Sequence, residues 1–296
     1  MRVAVIGGNG QLGSDVCRIF RQSGHVVSSL THEHIDIVSE LSVQAALSSV
    51  KPELILNTAA MHQVENCESA PARAFEVNAV GARNLARFSA NSGVCLAHIS
   101  TDYVFDGGKH APYIESDLPG PQSVYGTTKL AAEHFVRAIA PCHFVVRVSA
   151  IYGTFPCRGK GGINFVERML KLASEKAEIK VVGDEFVTPT PTEQIAQQLL
   201  VLTQTREYGL YHATCEGSCS WYDFARAIFE GAGVDANLKM AAPGEFPTKV
   251  ARPKYSVLEN SALKRAGLNT FTDWKSGLES YMAVRTMSPA VAAVSR

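Results

Sequence analysis

Short apolar runs rich in β-branched residues alternate with longer stretches of helical periodicity over the first half of the chain. Buried strands are predicted at residues 2–6, 26–30, 54–57, 95–100 and 143–148. Amphipathic helices are predicted between them at residues 12–22, 41–49, 72–91 and 124–138. Strands that alternate with helices through short connections are typical of a doubly wound parallel sheet. We therefore predict an α/β protein with a Rossmann-like fold.

Beyond Ile151 the alternation becomes less regular. Helices are predicted at residues 164–175, 192–203 and 221–231, and strands at residues 179–182 and 210–213. Residues 243–255 contain three prolines and are predicted to form a loop. The tail at residues 285–296 lacks periodicity and large apolar groups, and we expect it to fray.

Composition narrows the class of protein further. The chain has 296 residues, 46% of them hydrophobic, which is enough for one large or two small domains. Its 28 acidic and 28 basic residues balance, which argues against nucleic acid or an anionic membrane surface as a partner. The apolar runs are short for a membrane span, and a strand so close to Met1 argues against a signal peptide. A cytoplasmic location is the expectation.

The histidines and cysteines do not suggest a metal centre. Nine histidines and seven cysteines are scattered through the chain without the spacing of a zinc site. We therefore predict that the protein holds no metal.

The first predicted strand ends in a glycine-rich turn, GGNGQLG, at residues 7–13. The first glycine of this spacing permits a tight turn, and the second lets backbone N–H groups approach a pyrophosphate. The third allows the following helix to pack closely on the strand, and the positive end of that helix favours an anion. The turn predicts a dinucleotide cofactor.

The end of the second strand indicates which dinucleotide is preferred. Residues 28–32 read SSLTH, with neither a carboxylate for a ribose 2′-hydroxyl nor an arginine for a 2′-phosphate. The missing carboxylate removes a repulsion against NADP and favours NADPH, although NADH is possible. Asp36 and Ile37 follow shortly and could contact the adenine, but Asp36 could equally be a turn residue.

A tyrosine and a lysine on the helix at 124–138 are the candidate acid–base pair. Tyr125 and Lys129 are four residues apart and share one helix face. A phenol has a pKa of about 10, and we expect a neighbouring ammonium, together with the positive nicotinamide ring of the oxidised cofactor, to lower that pKa. Tyr125 could then donate a proton to a carbonyl oxygen that receives hydride at its carbon. Thr101, at the end of the preceding strand, could hydrogen-bond the same oxygen.

The order of these features resembles that of the extended short-chain dehydrogenases/reductases. STDYVFDG at residues 100–107, YGTTKL at residues 125–130 and GLYH at residues 209–212 resemble the dTDP-4-dehydrorhamnose reductase family in particular. Further matches lie at residues 57–60, 78, 164–165, 189–190, 221–223 and 252–253. The resemblance covers nearly the whole chain.

The resemblance implies an oxidoreductase that reduces the 4-keto group of a nucleotide sugar, most specifically dTDP-4-dehydro-L-rhamnose to dTDP-L-rhamnose. Residues 1–150, with elements returning from the second half, would form the NADP(H)-binding domain. Residues 151–296 would mainly form a smaller α/β lobe that binds the sugar nucleotide. The implied assembly is a monomer or a homodimer.

The resemblance, together with the glycine turn and the tyrosine–lysine pair, also gives an expected set of site residues. The residues expected to bind the cofactor are Gly7, Asn9, Gly10, Gln11, Leu12, Asp36, Ile37, Ala59, Ala60, Met61, Ile99, Tyr125 and Lys129. Thr101, Tyr125 and Lys129 would be catalytic, and Thr101 and Asp102 would contact the substrate. Arg252 is a further candidate for the substrate diphosphate, because a guanidinium suits phosphate oxygens, or else an ordinary surface charge.

Three departures from the family pattern bear on substrate and assembly. Ala150 stands where the family commonly has a tryptophan, so the sugar pocket is either wider or filled by Phe155 or Phe186. Glu185 and Val187 replace a glutamine and a glycine, and an added carboxylate disfavours a diphosphate unless it points away. The positions matching a metal-bridged dimer are Asp15, Glu193 and Val284. One ligand is thus lost, and no metal bridge is expected.

Two other kinds of protein remain as alternatives. A non-catalytic NADP-binding regulatory subunit, similar to the methionine adenosyltransferase β-subunit, is disfavoured by the intact Tyr125 and Lys129. An epimerase stays open because epimerases use the same pair. A dehydratase is disfavoured, because Tyr103 rather than a glutamate follows Asp102.

Overall fold

A parallel sheet of six strands forms the centre of the protein, which we describe from a computed structural model for residues 1–242, 244–246 and 249–285. The strands are β1 (Arg2–Ile6), β2 (Val26–Leu30), β3 (Leu54–Asn57), β4 (Cys95–Thr101), β5 (His143–Val148), β6 (Ile151–Tyr152), β7 (Ile179–Val181), β8 (Phe186–Val187), β9 (Thr190–Pro191), β10 (Gly209–His212), β11 (Cys219–Ser220) and β12 (Leu238–Met240). The helices are α1 (Gln11–Gln22), α2 (Glu40–Val50), α3 (Val64–Ser69), α4 (Pro71–Phe75), α5 (Gly81–Ser92), α6 (Val124–Ile139), α7 (Phe165–Glu175), α8 (Thr192–Thr203), α9 (Trp221–Ala232), α10 (Ser261–Arg265) and α11 (Trp274–Arg285).

The order of the strands creates one crevice. The sheet runs β10-β5-β4-β3-β1-β2, and every neighbouring pair is parallel. The chain therefore moves from β1 outward to β2 and then returns to the other side of β1 to form β3. Ligands of open α/β sheets bind at the carboxyl ends of the strands where the order reverses. The predicted Rossmann-like α/β fold is confirmed.

Both faces of the sheet are covered, which explains the uninterrupted apolar runs in the sequence. Successive side chains of β1 enter different clusters: Val3 and Val5 pack into the one that contains Phe20 of α1, and Ala4 into the one that contains Leu85 of α5. Parallel strands that are buried on both faces lose the alternation of apolar and polar residues. The first cluster also draws residues from the second half of the chain, so the domain boundary at residue 150 stays a prediction.

The long helix predicted at residues 72–91 is interrupted, and this prediction is corrected. A π-helical turn at Glu76–Val80 separates α4 from α5. Within it, the Asn78 side chain accepts a hydrogen bond from Met61 N at 2.8 Å and donates to Met61 O at 3.0 Å. A π-helical turn often marks a functional site. Helical periodicity in the sequence does not distinguish such a turn from an α-helix.

Several elements, all but α3 in the second half of the chain, were not predicted from the sequence. The strands β6, β8, β9, β11 and β12 and the helices α3, α10 and α11 went unpredicted; most are too short for a periodic pattern. Over its described residues, the loop predicted at 243–255 contains no helix.

Arg285 was expected in the frayed tail, but it ends α11 and pairs with Glu167 at 2.6 Å; residues 286–296 lie outside the described residues. Among the described helices, none has the length and apolar character needed to cross a membrane.

A buried ion pair connects α6 to the centre of the sheet. Arg147 of β5 donates from Nε and Nη2 to the two carboxylate oxygens of Glu133 on α6, at 2.9 and 2.7 Å. The Ser100 hydroxyl of β4 donates to the same carboxylate at 2.5 Å. The side chains of Arg147 and Glu133 are only 2% and 1% exposed, so each charge depends on the other for compensation.

Removing one member of this pair should be costly. We expect Arg147→Met to lower the free energy of unfolding by about 3–5 kcal/mol, because it leaves the Glu133 carboxylate buried without its counter-charge. Urea denaturation followed by circular dichroism measures the loss. The matched control is Arg226→Met, which removes an exposed arginine paired with Asp223 and should cost at most about 0.5 kcal/mol. Equal losses in the two variants would contradict the importance of the buried pair.

Candidate active site

A cavity of about 560 Å³ opens at the carboxyl ends of β1, β3 and β4, a volume typical of small-molecule sites. The structure brings most of the predicted site residues to its wall. Those that line it are Gly7, Gly10, Gln11, Leu12, Asp36, Ile37, Ala59, Ala60, Met61, Ile99, Thr101, Asp102, Tyr125 and Lys129. Asn9 and Arg252 are not among the lining residues, and their predicted roles stay predictions.

The glycine turn has the geometry of a pyrophosphate cradle. Gly7 has a φ of +75°, which favours glycine, and its carbonyl accepts a hydrogen bond from Gly10 N at 2.9 Å. A Cβ on Gly13 would lie 2.2 Å from that same carbonyl oxygen, so only glycine allows α1 to approach the turn this closely. Gly10 is the N-cap of α1, and no side chain in the described part of the chain caps this helix. Its first N–H groups are therefore suited to an anion.

The end of the cavity beyond β2 contains the residues predicted to meet the adenosine. Asp36 is exposed in the wall, where its carboxylate also accepts a hydrogen bond from Val38 N at 3.0 Å. It is thus a turn residue that also borders the cavity. Ile37 is buried and packs close to the Cα of Gly81, where a Cβ would come within 2.7 Å of its Cδ1.

The first turn of α6 places the tyrosine, and the second turn places the lysine. Ser123 caps the helix by accepting a hydrogen bond from Gly126 N at 3.2 Å. A Cβ on Gly126 would lie 2.2 Å from the carbonyl oxygen of Tyr103, so the helix lies directly against the segment that follows β4. Lys129 is buried, and its Nζ donates to the carbonyl oxygen of Ile99 at 2.6 Å. The same Nζ lies 3.3 Å from Nε2 of His98.

Lys129 does not lower the pKa of the phenol as expected, whereas the lowering expected from the oxidised nicotinamide ring stays a prediction. Burial raises the pKa of Tyr125 above its ordinary value, against the opposing effect of a hydrogen bond with Thr101. The Lys129 Nζ is bonded to the backbone of β4, and Thr101 is the hydrogen-bonding partner that lowers the phenol pKa. Burial also lowers the pKa of Lys129 to about 8, and the Glu133 carboxylate opposes that shift. Tyr125 consequently stays protonated at neutral pH, which is the form that can donate a proton.

Thr101 and Asp102 form a fixed polar corner beside the phenol. The Thr101 hydroxyl donates to Asp102 Oδ1 at 3.0 Å and accepts from Tyr103 N at 3.2 Å. The Ser149 hydroxyl donates to the other carboxylate oxygen of Asp102 at 2.8 Å. Burial raises the pKa of Asp102, and these hydroxyl groups oppose the shift. Because both oxygens of Asp102 have partners, its clearest role is to orient Thr101.

The wall near Ala150 is aromatic, although neither of the proposed substitutes contributes to it. Ala150 lines the cavity in a left-handed conformation, with a φ of +44°. Phe155 and Phe186 are absent from the lining over the described residues. Aromatic side chains from other elements do line it: Tyr103, Tyr152, Phe165, Trp221 and Phe224.

Glu185 is one of the residues that line the cavity. It is half-buried in the wall, and burial raises the pKa of its carboxyl while the charge of Arg252 opposes the shift. Arg252 itself forms an ion pair with Glu65 of α3. The guanidinium thus lies beside two carboxylates at the rim of the site. Its Nε is buried without a hydrogen-bond partner within the described ranges.

Two of the three positions compared with a metal bridge, Asp15 and Glu193, belong to an ion-pair cluster. Arg18 donates to Asp15 at 2.8 Å and pairs with Glu193 at 3.0 Å, and the Thr192 hydroxyl donates to Asp15 at 2.6 Å. In the described part of the chain, no group of histidines, cysteines or carboxylates has the arrangement of a metal site.

Sequence reasoning did not predict the buried polar groups behind Tyr125 and Lys129. Glu133 is four residues after Lys129 on the same helix face, which is a signal that the sequence did carry. Asn57 belongs to a predicted family match, but its contact with His98 was not predicted, because the two residues lie on adjacent strands and are 41 residues apart in sequence.

Comparison with known proteins places this geometry in context. A family model described as the RmlD substrate binding domain matches residues 1–287. Spore coat polysaccharide biosynthesis protein SpsK of Bacillus subtilis is 36% identical over 285 residues, which cover 96% of this chain and 98% of that protein. The structure of a dTDP-4-dehydrorhamnose reductase from Clostridium acetobutylicum is similar, with a TM-score of 0.92, 38% identity and coverage of 97% and 100%. That of a dTDP-4-dehydrorhamnose reductase from Bacillus anthracis in complex with NADP has a TM-score of 0.91, 35% identity and coverage of 95% and 98%.

The close approach at Gly13 gives a test of the cradle. We expect Gly13→Ala to lower the free energy of unfolding by about 1–3 kcal/mol and to weaken NADPH binding, because the new Cβ displaces the Gly7 carbonyl. NADPH fluorescence titration and thermal unfolding measure the two effects. Gly231→Ala is the matched control, since a Cβ there would meet its nearest neighbour at 3.9 Å. That variant should bind NADPH normally and gain up to about 1 kcal/mol; weakened binding in it as well would contradict the assignment.

Proposed function

Because the chain belongs to the RmlD substrate binding domain family, we propose that it is an NADPH-dependent oxidoreductase that reduces the 4-keto group of a nucleotide sugar. The proposed substrate is dTDP-4-dehydro-L-rhamnose and the product is dTDP-L-rhamnose. One observation carries the proposal: the Tyr125 phenol and the Thr101 hydroxyl line the same cavity as the glycine cradle. Relatives named dTDP-4-dehydrorhamnose reductase, one of them in complex with NADP, support the substrate and the cofactor.

The residues of the chain divide the work of the reaction. NADPH, when bound, supplies the hydride to the carbonyl carbon. As the carbonyl oxygen gains negative charge, the Thr101 hydroxyl would turn its one proton from Asp102 to that oxygen, and Tyr125 would transfer its phenolic proton to it. The sugar leaves as an alcohol, and Tyr125 recovers a proton before the next turnover. Lys129 and the backbone turn at Ala59 would hold the cofactor, and Asp102 would keep Thr101 in place.

The phenol provides the sharpest test of this mechanism. We expect Tyr125→Phe to lower kcat by about 10²–10⁴-fold, because the proton donor is lost, while the dissociation constant for NADPH stays nearly the same. Steady-state NADPH oxidation and fluorescence titration measure the two quantities. Tyr208→Phe, which removes a partly exposed tyrosine outside the cavity lining, should keep full activity. A Tyr125→Phe variant as active as the parent would refute the assignment.

A substrate panel separates this proposal from the other two classes of protein. NADPH and NADH oxidation would be measured with dTDP-4-dehydro-L-rhamnose and with other 4-keto nucleotide sugars. Fastest turnover of the dTDP-rhamnose precursor with NADPH supports the proposal. Oxidation with none of the ketosugars would favour a regulatory subunit, and a nucleotide that co-purifies and never exchanges would favour an epimerase.

A further inference from the structure

The hydroxyl of Ser256 is buried at the cavity wall without a hydrogen-bond partner. Ser256 is 0% exposed and lines the same cavity as Thr101 and Asp102. No polar atom in the described part of the chain has hydrogen-bond geometry with its Oγ. A buried hydroxyl without a partner costs free energy, and such groups are uncommon in folded proteins. This hydroxyl can therefore form a bond at another stage of the catalytic cycle.

The backbone around Ser256 is held in place, so the hydroxyl has a defined position. Ser256 N donates to the carbonyl oxygen of Phe186 at 2.9 Å. The residues just before it pack on the segment that follows β4, where a Cβ on Gly107 would lie 2.8 Å from the Cα of Pro253. The segment that carries Ser256 is thus held against the segment that begins at Asp102.

The Ser256 hydroxyl lies near a carboxylate that already accepts from two other hydroxyl groups. Asp102 Oδ1 accepts from Thr101 at 3.0 Å, and Oδ2 accepts from Ser149 at 2.8 Å. Burial raises the pKa of Asp102, and the hydroxyl groups of Ser256, Ser149 and Thr101 oppose the shift. Ser256 is therefore close enough to act on the carboxylate, and a small turn of its side chain would let it donate.

The proposed reaction removes one of the two present donors. A hydroxyl has one proton, so Thr101 cannot donate to Asp102 and to the substrate oxygen at the same time. When it turns to the substrate, Oδ1 of Asp102 loses this hydrogen bond while the carboxylate stays buried. The loss destabilises the carboxylate and raises the barrier of the step that Thr101 assists. A third hydroxyl that donates only at that moment would remove this cost.

We propose that Ser256 is a positioning residue that donates to Asp102 in place of Thr101 when the Thr101 hydroxyl turns to the substrate oxygen. The inference rests on the proposed function, since the turn of Thr101 belongs to that reaction. Ser149 cannot take this place, because its proton is already bonded to Oδ2. Tyr125 cannot take it either, because its proton goes to the substrate. Ser256 acts through Asp102 and does not contact the sugar.

A stability cycle tests the exchange of donors without nucleotide or sugar. In the parent, Ser256→Ala removes a hydroxyl without a partner and should leave Tm unchanged or raise it. In Thr101→Val the Ser256 hydroxyl should donate to Asp102, so that adding Ser256→Ala lowers Tm by about 2 °C. Thermal unfolding of the full chain, followed by circular dichroism, measures the four values of Tm. The same effect of Ser256→Ala in both backgrounds would overturn the inference.

Ser89→Ala is the matched control for this cycle. Its hydroxyl is also buried, but it donates to the carbonyl oxygen of Val94 at 2.5 Å and is not among the described lining residues of the cavity. Ser89→Ala should therefore lower Tm equally in the parent and in Thr101→Val. A larger loss in Thr101→Val for this variant as well would mean that the background is generally weakened, and would remove the support for an exchange of donors.

A kinetic cycle tests the role of Ser256 in catalysis. Ser256→Ala should lower kcat for dTDP-4-dehydro-L-rhamnose about 10-fold and leave KM and the NADPH dissociation constant nearly unchanged, because the bond forms only while Thr101 is turned. In Thr101→Val no hydroxyl turns, so the same substitution should lower kcat less than about 2-fold. Ser89→Ala should keep full activity.

Three kinetic results would contradict the inference or the function. An unchanged kcat in Ser256→Ala would overturn the inference. An equal loss of kcat in both backgrounds, or a raised KM for the sugar, would indicate direct contact with the substrate and would also overturn it. A parent protein without ketosugar activity would refute the proposed function, whereas the stability cycle would still show whether Ser256 can replace Thr101 on Asp102.

Discussion

The docking of α6 against the carboxyl end of β4 is the constraint on which the active-site geometry depends. Two buried charged groups hold it there: Glu133 pairs with Arg147 of β5, and Lys129 bonds the carbonyl oxygen of Ile99. Ions buried away from water are stable only when their partners are close and well oriented. The helix therefore has little freedom to slide or rotate. Because Tyr125 lies in its first turn, the position of the phenol beside Thr101 is fixed by contacts made one and two turns further along.

Burial also determines the protonation of the groups that would carry the reaction. It raises the pKa of Tyr125 and lowers that of Lys129 to about 8, so the phenol keeps its proton while the lysine remains mainly an ammonium at neutral pH. For a reductase this is a suitable starting state, since a phenol that keeps its proton can deliver it when charge develops on the substrate oxygen. We expected Lys129 to lower the pKa of Tyr125, but the contacts of the two side chains are different from those that this effect requires. Here the hydrogen bond with Thr101 has that effect, and Lys129 interacts with the backbone of β4 and with His98.

The sequence predicted those parts of the site whose geometry depends on one local pattern. A strand, a glycine turn and a helix follow each other within residues 2–22, and their packing requires no distant partner. The same is true of Tyr125 and Lys129 on one helix face. The sequence could not predict contacts that depend on tertiary packing. These are the bonds of Asn78 in its π-helical turn and the bond between Asn57 and His98 on neighbouring strands. Arg252 illustrates the limit best, because its pairing with Glu65 on a distant helix decides where its charge lies.

The two sides of the cavity differ in how much they can vary. The side with the proposed catalytic residues is built from strand ends and from the first turns of α6, and its polar atoms are connected by buried hydrogen bonds. The facing wall combines Ala150, Glu185 and aromatic rings from the second half of the chain, carried on short strands, loops and helix starts. A substitution such as tryptophan to alanine at position 150 changes the shape of that wall without touching the bonds that hold Thr101 and Tyr125. Differences in the sugar that is accepted can therefore arise on one side while the chemistry on the other is preserved.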